Sequence, residues 1–136
     1  MSDKVQKALK NHKKGYNCAQ SVACAFCKDV GIDEKTMFQL MEGYGLGMGC
    51  MQATCGAISG AVAVLGAKSS TGNLEKPNSK ASTYKLCKEL VSRFQEKNGA
   101  TICKEIKGVK TGKILRDCSG CVQDAAEILE ELLERK

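Results

Sequence analysis

No stretch of this chain alternates apolar and polar residues for more than four positions. A half-buried strand needs that period of two, whereas a surface helix repeats its apolar residues every three or four positions. Residues 109–115 are the one strand-like candidate, and Gly112 interrupts them. The rest reads as helices between recognisable start and stop residues. Val5, Ala8 and Leu9 make one side of a basic helix over 3–14, which Gly15 stops. Asn17 caps a helix over 18–30, which Gly31 ends, and Asp33 caps another over 34–42 that presents Met37, Phe38, Leu40 and Met41. A fourth covers 53–67. A long one over 79–97 carries Tyr84, Leu86, Leu90, Val91 and Phe94, and Gly99 closes it. A short helix over 101–106 and a loop over 108–117 lead to a last helix over 119–135. Arg135 and Lys136 suit that helix's negative end. The fold class is therefore all-α. With 136 residues, no internal repeat and no long linker, 1–136 form a compact single-domain bundle of about six helices around one core.

The central helix follows a glycine-rich loop in which Gly43, Gly45, Gly47 and Gly49 alternate. A phosphate-binding loop would need Gly-Lys-Ser/Thr after it, and a dinucleotide fingerprint needs different spacing and a preceding strand. Neither is present. Residues 43–67 carry no charge over 25 positions, long enough to cross a bilayer. The four glycines, Gln52, Thr54 and Ser59 break that run, and its strongly apolar part has 15 residues. It reads as a buried helix, and no membrane span is expected. Gly56 and Gly60, with Ala57 and Ala61, form a small-residue stripe that allows close helix packing. That packing is either within one chain or across a homodimer.

Nine cysteines are the abnormal part of the composition. Charges recur through Lys14, leaving no apolar core for a secretory signal, so the expected location is the cytoplasm. Thiols are kept reduced there, and an odd count leaves at least one unpaired. Metal ligands, reactive groups or core fillers are then better readings than a disulfide framework. Cys18, Cys55, Cys103 and Cys118 each fall near the start of an expected helix. Unpaired N–H groups and the positive end of the helix dipole favour thiolate at such places. Brought together, the four would line an electropositive pocket, which describes an iron–sulfur site, a zinc site or a reactive dithiol centre.

Two Cys-x-x-Cys pairs add to the inventory. Cys118 and Cys121 open the last helix. Cys24 and Cys27 fall inside the expected 18–30 helix, where a spacing of three puts both on one face and suits core packing. The pairs lie far outside zinc-ribbon spacing, and neither is followed by His, so haem attachment is unsupported. Cys87 sits on the apolar side of the long helix and reads as a core filler.

The lone His12 excludes a His-rich metal site and would have to serve any Ser–His or Cys–His hydrolase alone. It falls on the lysine-rich, exposed side of the first helix, with no partner nearby in sequence. The net charge of +6 does not point to nucleic acid, because aromatic interleaving and zinc-finger spacing are missing and there are only three arginines.

The segments Asn17-Cys18-Ala19-Gln20 and Cys55-Gly56-Ala57-Ile58-Ser59-Gly60, with Cys103 before a short helix and Cys118 at the last one, resemble the C_GCAxxG_C_C family. These are small bacterial and archaeal proteins described as redox-active. The resemblance spans nearly the whole chain and continues through Val122 and Asp124-Ala125-Ala126. A related cysteine-rich domain occurs in cytochromes of the split-Soret type, so the resemblance implies an iron–sulfur cluster on Cys18, Cys55, Cys103 and Cys118. Gly47, Gly49 and Gly56 would then supply close backbone approach and N–H···S contacts, and a redox partner protein is implied. Cys24, Cys27, Cys50, Cys87 and Cys121 are additional, not all of them expected in the family pattern, and Cys50 or Cys121 could substitute for a ligand or make a second site. Two other readings stand beside this one: a metal-free thiol–disulfide oxidoreductase in which Cys118 or Cys55 attacks, and a non-redox helical adaptor with packing cysteines.

Overall fold

The computed structural model describes residues 1–135, so the expected basic residue Lys136 lies outside it. The fold is all-α, with eight helices among the described residues: α1 (Asp3–Lys13), α2 (Cys18–Ala25), α3 (Cys27–Val30), α4 (Glu34–Met41), α5 (Gly56–Ser69), α6 (Lys80–Asn98), α7 (Cys103–Ile106) and α8 (Cys118–Glu134). A 3₁₀ turn, Glu42–Tyr44, follows α4. No described helix is long and apolar enough to cross a membrane.

Start signals act as their chemistry dictates. The Ser2 hydroxyl accepts the Val5 N–H at the head of α1. Asn17 and Gln20 form a reciprocal capping box at α2. Asp33 caps α4 through the Thr36 N–H, and Asp117 caps α8 through the Gly120 N–H at 2.7 Å. Each such cap stabilises its helix by about 1 kcal/mol.

The expected helix over 18–30 is two helices. At Phe26 the backbone turns to φ −113° and ψ 14°, and its N–H bonds to the Ala23 carbonyl three residues back. The fully buried Phe26 ring sits where the two pieces meet. The central helix starts at Gly56 rather than residue 53, because residue 53 is in a bend and Cys55 leaves the helical region at ψ 133°. Thr54 pairs with Ile102 there in an isolated antiparallel bridge. The Cys55 N–H donates to the Thr101 carbonyl and the Cys103 N–H to the Ala53 carbonyl. That bridge ties the start of α5 to the start of α7.

Helices α2 and α5 form the centre, each buried on most of its surface, with α1, α6 and α8 packed around them. Gly60 sets their approach. A Cβ there would come within 3.1 Å of the Cα and carbonyl carbon of Ala19, and nearer still to its oxygen. The small-residue stripe is thus used inside one chain. The long α6 buries only Leu90 and Phe94 fully, with Leu86 and Val91 partly covered. Tyr84, expected in its apolar set, is 64% exposed on the N-terminal half of the helix. On α8, fully buried Asp124 is held by Lys97 at 2.9 Å and by Arg116 through Nε and Nη2.

Candidate functional site

Four helix starts converge at one end of the bundle. Cys18, Cys103 and Cys118 are the first residues of α2, α7 and α8, and Cys55 is the N-cap of α5. All four line one cavity of about 180 Å³. The capping residues explain this placement locally: Asn17 and Asp117 hold the turns immediately before Cys18 and Cys118, so each sulfur starts its helix. The bridge between residues 53–55 and 101–103 brings Cys55 and Cys103 to the same end.

A fifth thiol, Cys121, also lines the cavity. It stands one turn along α8 from Cys118, a spacing that puts two side chains on the same helix face. The Cys-x-x-Cys spacing was therefore a legible signal for it. The remaining cysteines lie elsewhere: Cys50 is exposed, Cys87 is half-buried on α6, and Cys24 and Cys27 share a different cleft. All nine are free thiols.

The five cavity sulfurs are not equivalent. Cys118 is lowered to about 5, first by the Cys18 thiol that hydrogen-bonds to it, against the cost of burial, and then by Lys107. The Lys107 ammonium donates to the Cys118 sulfur at 3.2 Å. Cys18, the donor of that pair, is pushed up by the same bond and by burial. A second pair repeats the pattern. Cys55 is lowered by a hydrogen bond from Cys121, opposed by burial and aided by the N–H groups of Ala57 and Ile58. Cys121 is raised by giving that bond and by burial. Burial raises Cys103. The cavity thus holds two coupled sulfur pairs, Cys118 with Cys18 and Cys55 with Cys121, in each of which the first sulfur is the more acidic, and Cys103 beside them.

His12 is a correction to the surface placement expected of it. It is half-buried, lines the cavity and meets the Ser119 hydroxyl through Nδ1 at 3.3 Å. Lys107 and Arg116 complete a cationic rim. Sequence offered no signal for either, because the contact between Lys107 and Cys118 depends on how the intervening loop turns back. Arg116 lies across Gly120, where any Cβ would run into its guanidinium, and from there it reaches Asp124.

The glycine loop has an unusual backbone course. Leu46, Gly47, Met48, Gly49, Cys50 and Met51 all have positive φ, between 51° and 73°. Six successive residues in the left-handed region make a strained turn, since each non-glycine there costs about 1–2 kcal/mol. Three N–H groups bond back within this segment: Met48 to the Gly45 carbonyl, Met51 to Leu46 and Ala53 to Gly47. The N–H groups that favour charge on Cys55 come from the first turn of α5, not from these glycines. Gly47 does line the cavity, and a Cβ on it would stand 2.9 Å from the Cys103 sulfur. Gly56 lines it as well, whereas Gly49 is exposed and lies outside the cavity wall.

Among the described residues no three His, Cys, Asp or Glu are gathered tightly enough to hold a single metal ion. A mononuclear site needs its sulfurs at ~2.3 Å from one point. A polynuclear cluster spreads its thiolates over several iron atoms, and five thiols on one cavity are the right donor type for it.

A family model described as "Putative redox-active protein (C_GCAxxG_C_C)" matches residues 16–132. That match takes in every cavity cysteine. No curated protein and no solved structure matches the chain.

Proposed function

Because the chain belongs to the C_GCAxxG_C_C family, which is described as redox-active, we propose that the five-thiol cavity is its redox centre. In this reading Cys18, Cys55, Cys103 and Cys118 hold an iron–sulfur cluster for electron transfer. The observation that carries it is the convergence of sulfurs from four separate chain segments on one cavity. A dithiol centre needs two. When bound, such a cluster takes up and releases single electrons. The chain's own residues would set how readily this happens. The Ala57 and Ile58 amides and the Lys107 ammonium place positive charge beside the sulfurs. Leu46 and Ile106 add apolar wall to the cavity. A reducing, cytoplasmic setting accords with nine free thiols.

The test is anaerobic purification followed by iron and acid-labile sulfide analysis and by visible spectra before and after dithionite. Bound iron with matching sulfide, and absorption that bleaches on reduction, are expected. A colourless, iron-free protein after anaerobic reconstitution overturns the reading.

One observation favours a second reading, a metal-free thiol–disulfide oxidoreductase: the Cys118 thiolate faces both the Cys18 thiol and the Lys107 ammonium. Cys118 would attack a substrate disulfide and release one thiolate. Cys18 would then give up its proton and displace the second, leaving a Cys18–Cys118 disulfide and two reduced substrate thiols. Iron-free protein that reduces a small disulfide and loses this activity in Cys118→Ser supports it. Slow, equal alkylation of every cysteine counts against it.

A further inference from the structure

The redox centre leaves Cys24 and Cys27 unused. The sequence alone suits them to core packing on one face of one helix, but the structure divides them. Cys24 belongs to the last turn of α2, Cys27 opens α3, and the interruption at Phe26 lies between them. Both thiols line a second cleft with Lys4, Lys7, Asp33 and Glu34, near enough for each to shift the other's acidity. We propose that Cys24 and Cys27 form a second, independent redox site, a dithiol that closes to a disulfide on reaction with a small disulfide such as oxidised glutathione.

The geometry permits closure. Two Cα atoms three apart along a helix are separated by about 5 Å, inside the ~4.4–6.8 Å range of disulfides. What ordinarily prevents the bond within a helix is the Cβ separation, about 5–6 Å for such neighbours against ~3.5–4.5 Å in a disulfide. The missing ångström must come from backbone rotation between the two residues. Phe26 already departs there from helical φ by about 50°, so closing the bond does not require breaking a continuous helix. Neither sulfur is committed elsewhere: each has only a long contact of 3.9 Å to a carbonyl, Cys24 to Glu34 and Cys27 to Ala23.

Exposure sets the order of events. Cys27 is 7% exposed and Cys24 1%, so Cys27 is the thiol that meets the incoming disulfide. Cys27 loses its proton and attacks one sulfur of oxidised glutathione, forming a mixed disulfide and releasing one glutathione thiolate. Cys24 then loses its proton and displaces the second glutathione. Two protein thiols are oxidised, one disulfide is reduced to two thiols, and the two protons end on the released thiols. Burial holds both thiols above their usual range, Cys24 at about 12, so the reaction is slower than at Cys118, whose sulfur is held low.

The test uses the full-length protein under native conditions. It is equilibrated in glutathione buffers of increasing oxidised fraction, quenched with acid, unfolded, alkylated and digested. The tryptic peptide 15–28 carries Cys18, Cys24 and Cys27. Fragmentation is expected to place a bond between Cys24 and Cys27, growing with the oxidised fraction and reversed by dithiothreitol. In Cys24→Ala, Cys27 should be trapped as the glutathione mixed disulfide. In Cys27→Ala, Cys24 should stay free. Cys24 and Cys27 alkylated as free thiols at every ratio, or linked to cavity cysteines instead, overturns the proposal. The proposal stands or falls apart from the cluster reading, because the Cys24→Ala/Cys27→Ala double variant should keep the parent's iron content and visible spectrum.

Discussion

Gly60→Ala places a methyl group between the two central helices, and the structure says how much room it lacks. The new Cβ would lie 3.1 Å from the Cα and carbonyl carbon of Ala19, where carbon atoms prefer about 3.5–4.0 Å. Helices α2 and α5 must separate by roughly 0.5–1 Å, because backbone stands on both sides and no side chain can rotate away. A gap of that size forfeits about a quarter to a half of the dispersion energy across the contact. Overpacking of this kind costs about 1–3 kcal/mol, and the upper part of that range applies to backbone against backbone. Alanine's helix preference over glycine returns ~1 kcal/mol, leaving a net loss of ~1–2 kcal/mol. Gly66→Ala is the matched control in the same helix: its Cβ would meet nothing within 4 Å, so the ~1 kcal/mol of helix preference appears as a gain. The two variants should differ by ~2–3 kcal/mol, roughly 10 °C in melting temperature for a chain of this size. The assay is thermal and urea unfolding followed by far-ultraviolet circular dichroism, with reductant and chelator present. Equal stability of the two variants, or a Gly60→Ala protein more stable than the parent, refutes the claim that Gly60 sets the α2–α5 approach.

Four further expectations can be checked alongside it. In reduced, metal-free protein the pH profile of Cys118 alkylation should show its inflection near 5. Cys18→Ala should move that inflection upward more than Lys107→Met does, and an unmoved inflection in both removes the proposed thiolate pair. Cys103→Ser should lower bound iron in reconstituted protein while Cys121→Ser keeps it; the reverse result would replace Cys103 with Cys121 in the ligand set. The Asp124 carboxyl is held below its usual range: burial opposes this, but hydrogen bonds from Lys97, Arg116 and Asn98 outweigh it. Its contribution is therefore present above about pH 4 and is lost as pH falls through the lower folded value. Asp124→Asn should cost ~2–3 kcal/mol at neutral pH and remove that acid dependence, as seen in urea midpoints measured across pH. Gly47→Ala forces a methyl onto Cys103 at a positive φ, so it should slow alkylation of Cys103 and lower stability by ~1–2 kcal/mol; unchanged values for both would show that the loop yields freely.

The fold class was legible because its signals are local. Asn17, Asp33 and the glycines at 31 and 99 act within one helical turn, and the apolar spacing of Val5 and Ala8 or of Leu90 and Phe94 shows which face turns inward. The same locality explains the errors. Nothing in Cys18 to Val30 marks a break at Phe26, since the interruption goes with burial of its ring among other helices. Tyr84 obeys the apolar spacing of α6 yet lies exposed on a part of that helix its neighbours leave uncovered. His12 was placed on a charged face because the end of α8 that covers it comes more than a hundred residues later.

The amino-acid order alone determined that Cys18 and Cys118 would stand at helix starts, because Asn17 and Asp117 cap the helices that follow through hydrogen bonds spanning three positions, whereas the starts at Cys55 and Cys103 are held by the bridge between Thr54 and Ile102. Tertiary packing alone decided that those starts share one cavity, that Cys121 joins them, and that Lys107 charges the Cys118 sulfur. These contacts link segments 11 to 100 residues apart in the chain. Their distances follow from how closely α2, α5 and α8 can approach, a property of the assembled core that no short stretch of residues encodes.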